Sequence, residues 1–206
     1  MHRLVLFSSF AFNPNLDQVL NLIFPKDLQN KKFGYMPANG VATHDTGIID
    51  YWKSTAKEFQ AEFVLIDNDP LQTPEGIEEQ RQKFETINIL LVSSGDAYPM
   101  LANLRKSGLD QYIQTFWGKS ECILAGFSAG ALLMTPSINI NKLRKQTEAS
   151  YRKYTESQLK ALNIVDFTVY PHYDKYRNKS ILDNYRSTYP TEIKALPDDH
   201  WYIIEN

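Results

Sequence analysis

The chain has 206 residues, the length of one domain with a substantial core, and 43% of them are hydrophobic and 13% aromatic. A net charge of -2 argues against a nucleic-acid partner, which calls for a clustered basic surface, and no apolar run is long enough to span a membrane. The one cysteine, Cys122, excludes a disulfide scaffold and a cysteine-rich zinc site, and its place in an apolar run suits a small buried residue.

Arg3 to Ser9 (RLVLFSS) is a continuous apolar run closed by small polar residues, as expected of a parallel strand buried on both faces. The N-terminal run also lacks a small-residue cleavage site, so a cytoplasmic setting is the default expectation. Leu16 to Phe24 has helical spacing and stops at Pro25, and Lys32 to Met36 is a second strand. Asp45 to Phe59 is a helix candidate, Glu62 to Ile66 a third strand, and Glu75 to Glu85 a charged helix with one exposed face. Ile87 to Val92 is a fourth strand that ends in Ser93-Ser94-Gly95-Asp96-Ala97, and a helical stretch from Met100 to Ile113 follows. Gly95 either lets a backbone amide approach a ligand or serves as a simple turn glycine.

The stretch with the most chemistry is Cys122 to Ile140 (CILAGFSAGALLMTPSINI). An apolar strand runs into Gly126-Phe127-Ser128-Ala129-Gly130 and then into residues of helical character. G-x-S-x-G between strand and helix is the pattern of a nucleophile elbow, in which small residues on either side let strand and helix approach closely. The Ser128 hydroxyl is then lifted off the sheet's carboxyl edge, and the Ala129 amide, at a helix N-terminus, points where an oxyanion would form. The spacing taken alone suits a capping serine equally well.

Beyond the elbow, Asn139 to Tyr154 is polar and basic and looks like an exposed insertion or loop. Thr155 and Gln158 form a capping box for a short helix, Glu156 to Leu162. Ile164 to Tyr170 is a sixth strand ending in Pro171-His172-Tyr173-Asp174, followed by a helix from Lys179 to Tyr189 and short strands at Glu192 to Leu196 and His200 to Ile204. Apolar strands alternating with helices imply an α/β fold, a three-layer αβα sandwich around a doubly wound, mainly parallel sheet, as one domain over residues 1–206. Right-handed crossovers place every strand's carboxyl end, and with it the function, on one edge.

A serine nucleophile needs a base, and there are four histidines. His2 lies at the wrong edge, His200 is peripheral, and His44 is on the correct edge without distinguishing context. His172 follows the sixth strand directly and is the best candidate. For the orienting acid, Asp166 is about 20 Å along an extended strand from His172 at ~3.3 Å per residue. Glu148, in the polar segment, ranks first, ahead of Asp174 and Glu156, the last of which a helix start explains without catalysis.

With LVLFSS, SSGDAYPML, LRKSGLD, GFSAGALLMTPSI, LNIVDFTVYPHYD and IKALPDD spread over it, the chain resembles the peptidase E, or S51, family of serine peptidases, which includes the cyanophycinases. The resemblance implies a class I glutamine amidotransferase-like fold and a cytoplasmic hydrolase without metal or other cofactor. It implies Ser128 as nucleophile, His172 as base, and the amides of Gly95 and Ala129 as the oxyanion hole. Peptidase E cleaves short peptides after an N-terminal aspartate.

Three departures from the family pattern stand out. Asp96 replaces an asparagine that helps hold the substrate in aspartyl dipeptidases, so Asp96 is a substrate-binding candidate that would repel an acidic side chain. The segment shortly after P-S-I, where the family's triad aspartate is expected, is Asn141 to Leu143 and has no acid. Relatives also carry a return strand beyond the equivalent of WYIIEN. The expected function is a serine-type hydrolase of small peptides or amides, not strictly aspartyl-specific, and compatible with a homodimer. The alternative is an inactive or weak member that binds a small ligand at the same edge. An α/β-hydrolase esterase would expose an H-G-G-G loop, which is absent, and P-loop and H-E-x-x-H signatures are absent too.

Overall fold

The computed structural model describes residues 1–205 apart from Phe12, Gln29, Asn39 and residues 42–45, 70–72 and 145–147. Six strands form the main sheet: β1 (His2–Phe7), β2 (Lys32–Met36), β3 (Glu62–Leu65), β4 (Ile89–Val92), β5 (Cys122–Phe127) and, at the C-terminus, a strand Trp201–Glu205. Their spatial order is β3-β2-β4-β5-β1 followed by the C-terminal strand, which runs antiparallel to β1 while every other pairing is parallel. The chain is α/β with a mostly parallel central sheet between helices, as the alternating pattern implies.

The period of two along the central strands divides the core. Leu4 and Leu6 of β1 and Leu90 and Val92 of β4 pack on one face, while Val5, Phe7, Ile89 and Leu91 pack on the other. Helices α1 (Leu16–Ile23) and α2 (Thr46–Glu58) cover the second face with Val19, Ile23, Trp52 and Ala56. The first is covered by α3 (Pro74–Thr86), α4 (Ala97–Ser107), α5 (Leu109–Trp117) and the short α6 (Ala129–Leu133). The single helix expected over Met100 to Ile113 is broken in two at Gly108, whose φ of 72° takes the left-handed region and ends α4.

Two further expectations are corrected. The polar stretch after the elbow is exposed only in part: Ala149, Ser150, Arg152 and Lys153 face solvent, but Asn139, Ile140 and Asn141 are buried in a 3-10 turn (Asn139–Lys142), and Tyr151, which ends α7 (Glu148–Tyr151), is 1% exposed. The buried Asn139 is satisfied inside, where the Tyr185 hydroxyl donates to its Oδ1 at 2.9 Å, and that makes the burial tolerable. Thr155 and Gln158 form the expected capping box, on α8 (Glu156–Leu159).

The second correction concerns the sixth strand. β6 (Thr168–Pro171) is outside the main sheet and pairs in parallel with β7 (Ile193–Leu196), joined to it by α9 (Lys175–Thr188); the C-terminal strand is therefore β8 (Trp201–Glu205). Residues 164–167 of the expected strand form bends. The small sheet docks on the α6 side of the molecule, where Val169 and Leu196 join the larger core cluster.

The elbow shows why its glycines are needed. A Cβ on Gly130 would lie 2.1 Å from the Val92 carbonyl oxygen, and one on Gly126 would lie 2.7 Å from the Gly130 backbone. The start of α6 thus rests directly on the end of β4, with no room for a methyl group. Gly130→Ala is expected to lower stability by about 3 kcal/mol or more, because backbone must move to admit the methyl. A urea-unfolding midpoint within error of the wild type would show the packing to be looser than this.

Candidate active site

The parallel register fixes which residues meet at the carboxyl edge. Phe7 of β1 pairs with Phe127 of β5, so Ser8 and Ser128 leave the sheet side by side, and the Ser128 amide donates to the Phe7 carbonyl at 3.0 Å. Ser128 itself has φ 51° and ψ -112° at the N-terminus of α6. An L-residue there costs about 1–3 kcal/mol, and the tight strand-helix contact holds it in place. His172 is also at positive φ, 57°, and among the described residues only Asn30, Gln60 and Asn163 are the other non-glycine cases. Two strained residues of five therefore stand at this one edge.

The small sheet brings the second half. Pro171 pairs with Leu196, so His172 and Asp198, one and two residues past that pair, emerge at the same end. His172 Nε2 lies 2.8 Å from Ser128 Oγ, and His172 Nδ1 lies 2.6 Å from Asp198 Oδ1. With Nδ1 donating to the carboxylate, Nε2 is left to accept the serine proton. Ser8, wholly buried, ties the parts together: its hydroxyl accepts from the His172 amide at 2.6 Å and donates to Asp198 Oδ1 at 2.8 Å.

The carboxylate that meets His172 Nδ1 is Asp198, which is not among the acids the sequence suggests. Glu148 opens α7 and its side chain is outside the described part of the structure, but the imidazole nitrogen it was expected to meet already faces Asp198. Asp174 caps α9, accepting from the Tyr176 and Arg177 amides at 2.8 and 3.3 Å. Glu156 accepts from Lys142 at 2.8 Å and stands in the first turn of α8. Asp198 could have been found as an acid just beyond a short strand, had the pairing of that strand with the one before His172 been foreseen. His2 bonds the Trp117 carbonyl at the far edge, His200 bonds its neighbour Asp199, and His44 lies outside the described residues.

A cavity of about 260 Å³ opens over this edge, with Gly95, Asp96, Ser128, Ala129, Arg144 and His172 in its wall. Gly95 has φ 152°, and a Cβ on it would lie 2.5 Å from that of Ala38, so only glycine brings this turn so close. The Ala129 amide is the first of α6 and has no intrahelical acceptor. Asp96 caps α4 and accepts from the Tyr151 hydroxyl at 2.5 Å. Cys122 stays outside this chemistry: burial pushes its thiol up to about 11. Among the described residues no group of three or more His, Cys, Asp or Glu is placed to hold a metal ion, and no helix is long and apolar enough to cross a membrane.

A serine hydroxyl on an imidazole with a carboxylate behind it is an arrangement that can activate a nucleophile. The model of peptidase family S51 matches residues 4–206. The chain belongs to this family. An uncharacterized peptidase of Pasteurella multocida is 29% identical over 211 residues, covering 100% of this chain and 94% of that protein. One from Listeria monocytogenes is 24% identical over 174 residues, covering 84% and 81%. A solved structure from Listeria monocytogenes, named for peptidase E, superposes with a TM-score of 0.72 at 24% identity, covering 99% of this chain and 94% of the other. A peptidase from an acI-B1 Actinobacterium gives 0.68 at 19%, covering 100% and 88%. These two likenesses show the fold, and membership of the S51 family supports a peptidase or hydrolase function.

Asp198→Asn should leave the fold intact and lower turnover by about 10²- to 10⁴-fold, because an amide no longer holds the imidazole in the required tautomer. Ser8→Ala should act in the same direction more weakly. Steady-state hydrolysis by folded Asp198→Asn at the wild-type rate would remove Asp198 from the site.

Proposed function

We propose that this S51 member is a serine-type hydrolase of small peptides or amides. The observation that carries the reading is the continuous Ser128-His172-Asp198 chain, with 2.8 and 2.6 Å links, on a strained strand-to-helix turn. Ser128 Oγ attacks the carbonyl carbon while His172 Nε2 takes its proton. The imidazolium is steadied at Nδ1 by Asp198, and the amides of Gly95 and Ala129 receive the oxyanion. His172 then gives the proton to the leaving nitrogen, the C–N bond breaks, and a water activated by the same imidazole releases the acyl group.

The alternative, a catalytically silent ligand-binding member, rests on the altered turn at Gly95-Asp96 and on the lack of an acid after the P-S-I motif; Asp198 at Nδ1 favours the hydrolase on the second count. The carboxylate of Asp96 in the cavity wall also supports a substrate range not restricted to N-terminal aspartate.

A fluorophosphonate should label Ser128 stoichiometrically in the wild type, as seen by peptide mapping. The rate should drop by at least about 10²-fold in His172→Ala, since the hydroxyl loses its base. No reaction of the folded wild type would return the protein to the ligand-binding reading.

A further inference from the structure

The turn after β4 puts an acid, Asp96, in the wall of the nucleophile's cavity. Asp96 caps α4, and its Oδ1 accepts both from the Tyr98 amide at 3.2 Å and from the Tyr151 hydroxyl at 2.5 Å. Tyr151 is buried, and burial first, then the neighbouring Asp96 carboxylate, holds its phenol well above the usual tyrosine range, so it remains a donor. Two bonds to one oxygen fix the carboxylate in the cavity wall. Among the described residues no lysine or arginine forms an ion pair with Asp96, and none donates to its Oδ2. A pre-positioned acceptor binds with little further loss of side-chain freedom.

The direction of the substrate follows from the proton the base must deliver. His172 stands in the wall of the nucleophile's cavity and also of a neighbouring one of about 560 Å³, which Arg144, Arg177 and Asp174 line, the last paired with Arg177 at 3.7 Å. The leaving nitrogen receives its proton from His172 Nε2, so the leaving part extends past His172 towards those arginines. The acyl part stays with Ser128, Ala129 and Gly95, directly beside Asp96. Arg144 reaches both cavities, with its guanidinium 5.1 Å from the centre of the Tyr170 ring.

We propose that the acyl side of the site selects a cationic group, the ammonium of a free N-terminus or of a basic side chain, through the Asp96 carboxylate. This rests on the hydrolase reading and names the substrate class of that same site. An acidic acyl residue meets the opposite result at this turn: the α4 N-terminus is already capped by Asp96, the oxygen left over can only accept, and Arg144, the cation in the same cavity wall, stands over the Tyr170 ring. An asparagine at 96 would keep the cap through its own Oδ1 and turn amide hydrogens towards the cavity. Asp96→Asn therefore inverts the polarity presented to the substrate with almost no change in shape.

The test uses p-nitrophenyl esters of alanine, Nα-acetyl-lysine, N-acetyl-alanine and N-acetyl-aspartate, whose activated leaving group makes acylation insensitive to the arginine-lined cavity. Release of nitrophenolate is corrected with Ser128→Ala. The wild type should favour at least one ammonium-bearing ester over N-acetyl-alanine by about 10-fold or more, the size of a charge-assisted hydrogen bond. N-acetyl-aspartate should be the poorest. Preference for alanine identifies the α-ammonium, and preference for Nα-acetyl-lysine the side chain. Asp96→Asn should flatten the preference and raise the aspartate rate.

Fluorophosphonate labelling of Ser128 in both proteins separates the two levels of the account. Labelled protein that turns over the four esters equally, or turns over none, overturns the cation site and leaves the nucleophile standing. Absence of labelling overturns the hydrolase reading itself.

Discussion

The carboxyl edge depends on how closely α6 approaches the sheet. Gly130 sits against the Val92 carbonyl and Gly126 against Gly130, so the chain turns from β5 into α6 within one residue. That residue is Ser128, at φ 51°, and its hydroxyl leaves the sheet because the backbone has no other way through. Buried β5 and the apolar positions of α6 supply the packing that keeps a strained serine in place. The strain is local, and the core on either side of it bears the cost.

The partners of Ser128 come from a different sheet, so the site is an alignment of two independently built edges. The parallel pairing of β6 and β7 sets His172 and Asp198 side by side, and the antiparallel return of β8 along β1 fixes the turn that carries Asp198 over Ser8. Ser8, like Ser128, links the two halves: it extends from β1, neighbour of the elbow strand, and bonds the His172 amide and the Asp198 carboxylate. A left-handed His172 with its amide tied to Ser8 has little freedom in where its ring points. On the far side of the cavity, Tyr151 does the same for Asp96.

Much of this was legible in the sequence, for physical reasons that differ by element. β2 is bounded as KFGYM suggests, because a continuous apolar run in an α/β chain has few other places to go. The capping box at Thr155 is a local rule obeyed locally. Ser128 and His172 each follow a strand end with a distinctive neighbour, Gly126 and Pro171, and local pattern was enough to single them out. Asp198 was not legible, because it is 26 residues from His172 and its role exists only through the β6-β7 register. The polar stretch around Asn139 and Tyr151 misled for a related reason. Asn139 and Tyr151 are buried because they bond distant residues, Tyr185 and Asp96, which composition does not reveal.

The central claim is that Asp198 acts on Ser128 only through His172. The most direct measurement is the rate of Ser128 phosphonylation in a cycle of His172→Ala, Asp198→Ala and the double variant. If the three groups form one unit, the double variant should react no more slowly than His172→Ala alone, since an orienting acid has nothing left to orient. Losses that multiply across the cycle would show Asp198 and His172 acting separately, and the chain of hydrogen bonds from Ser8 to Ser128 would then be structure without that chemistry.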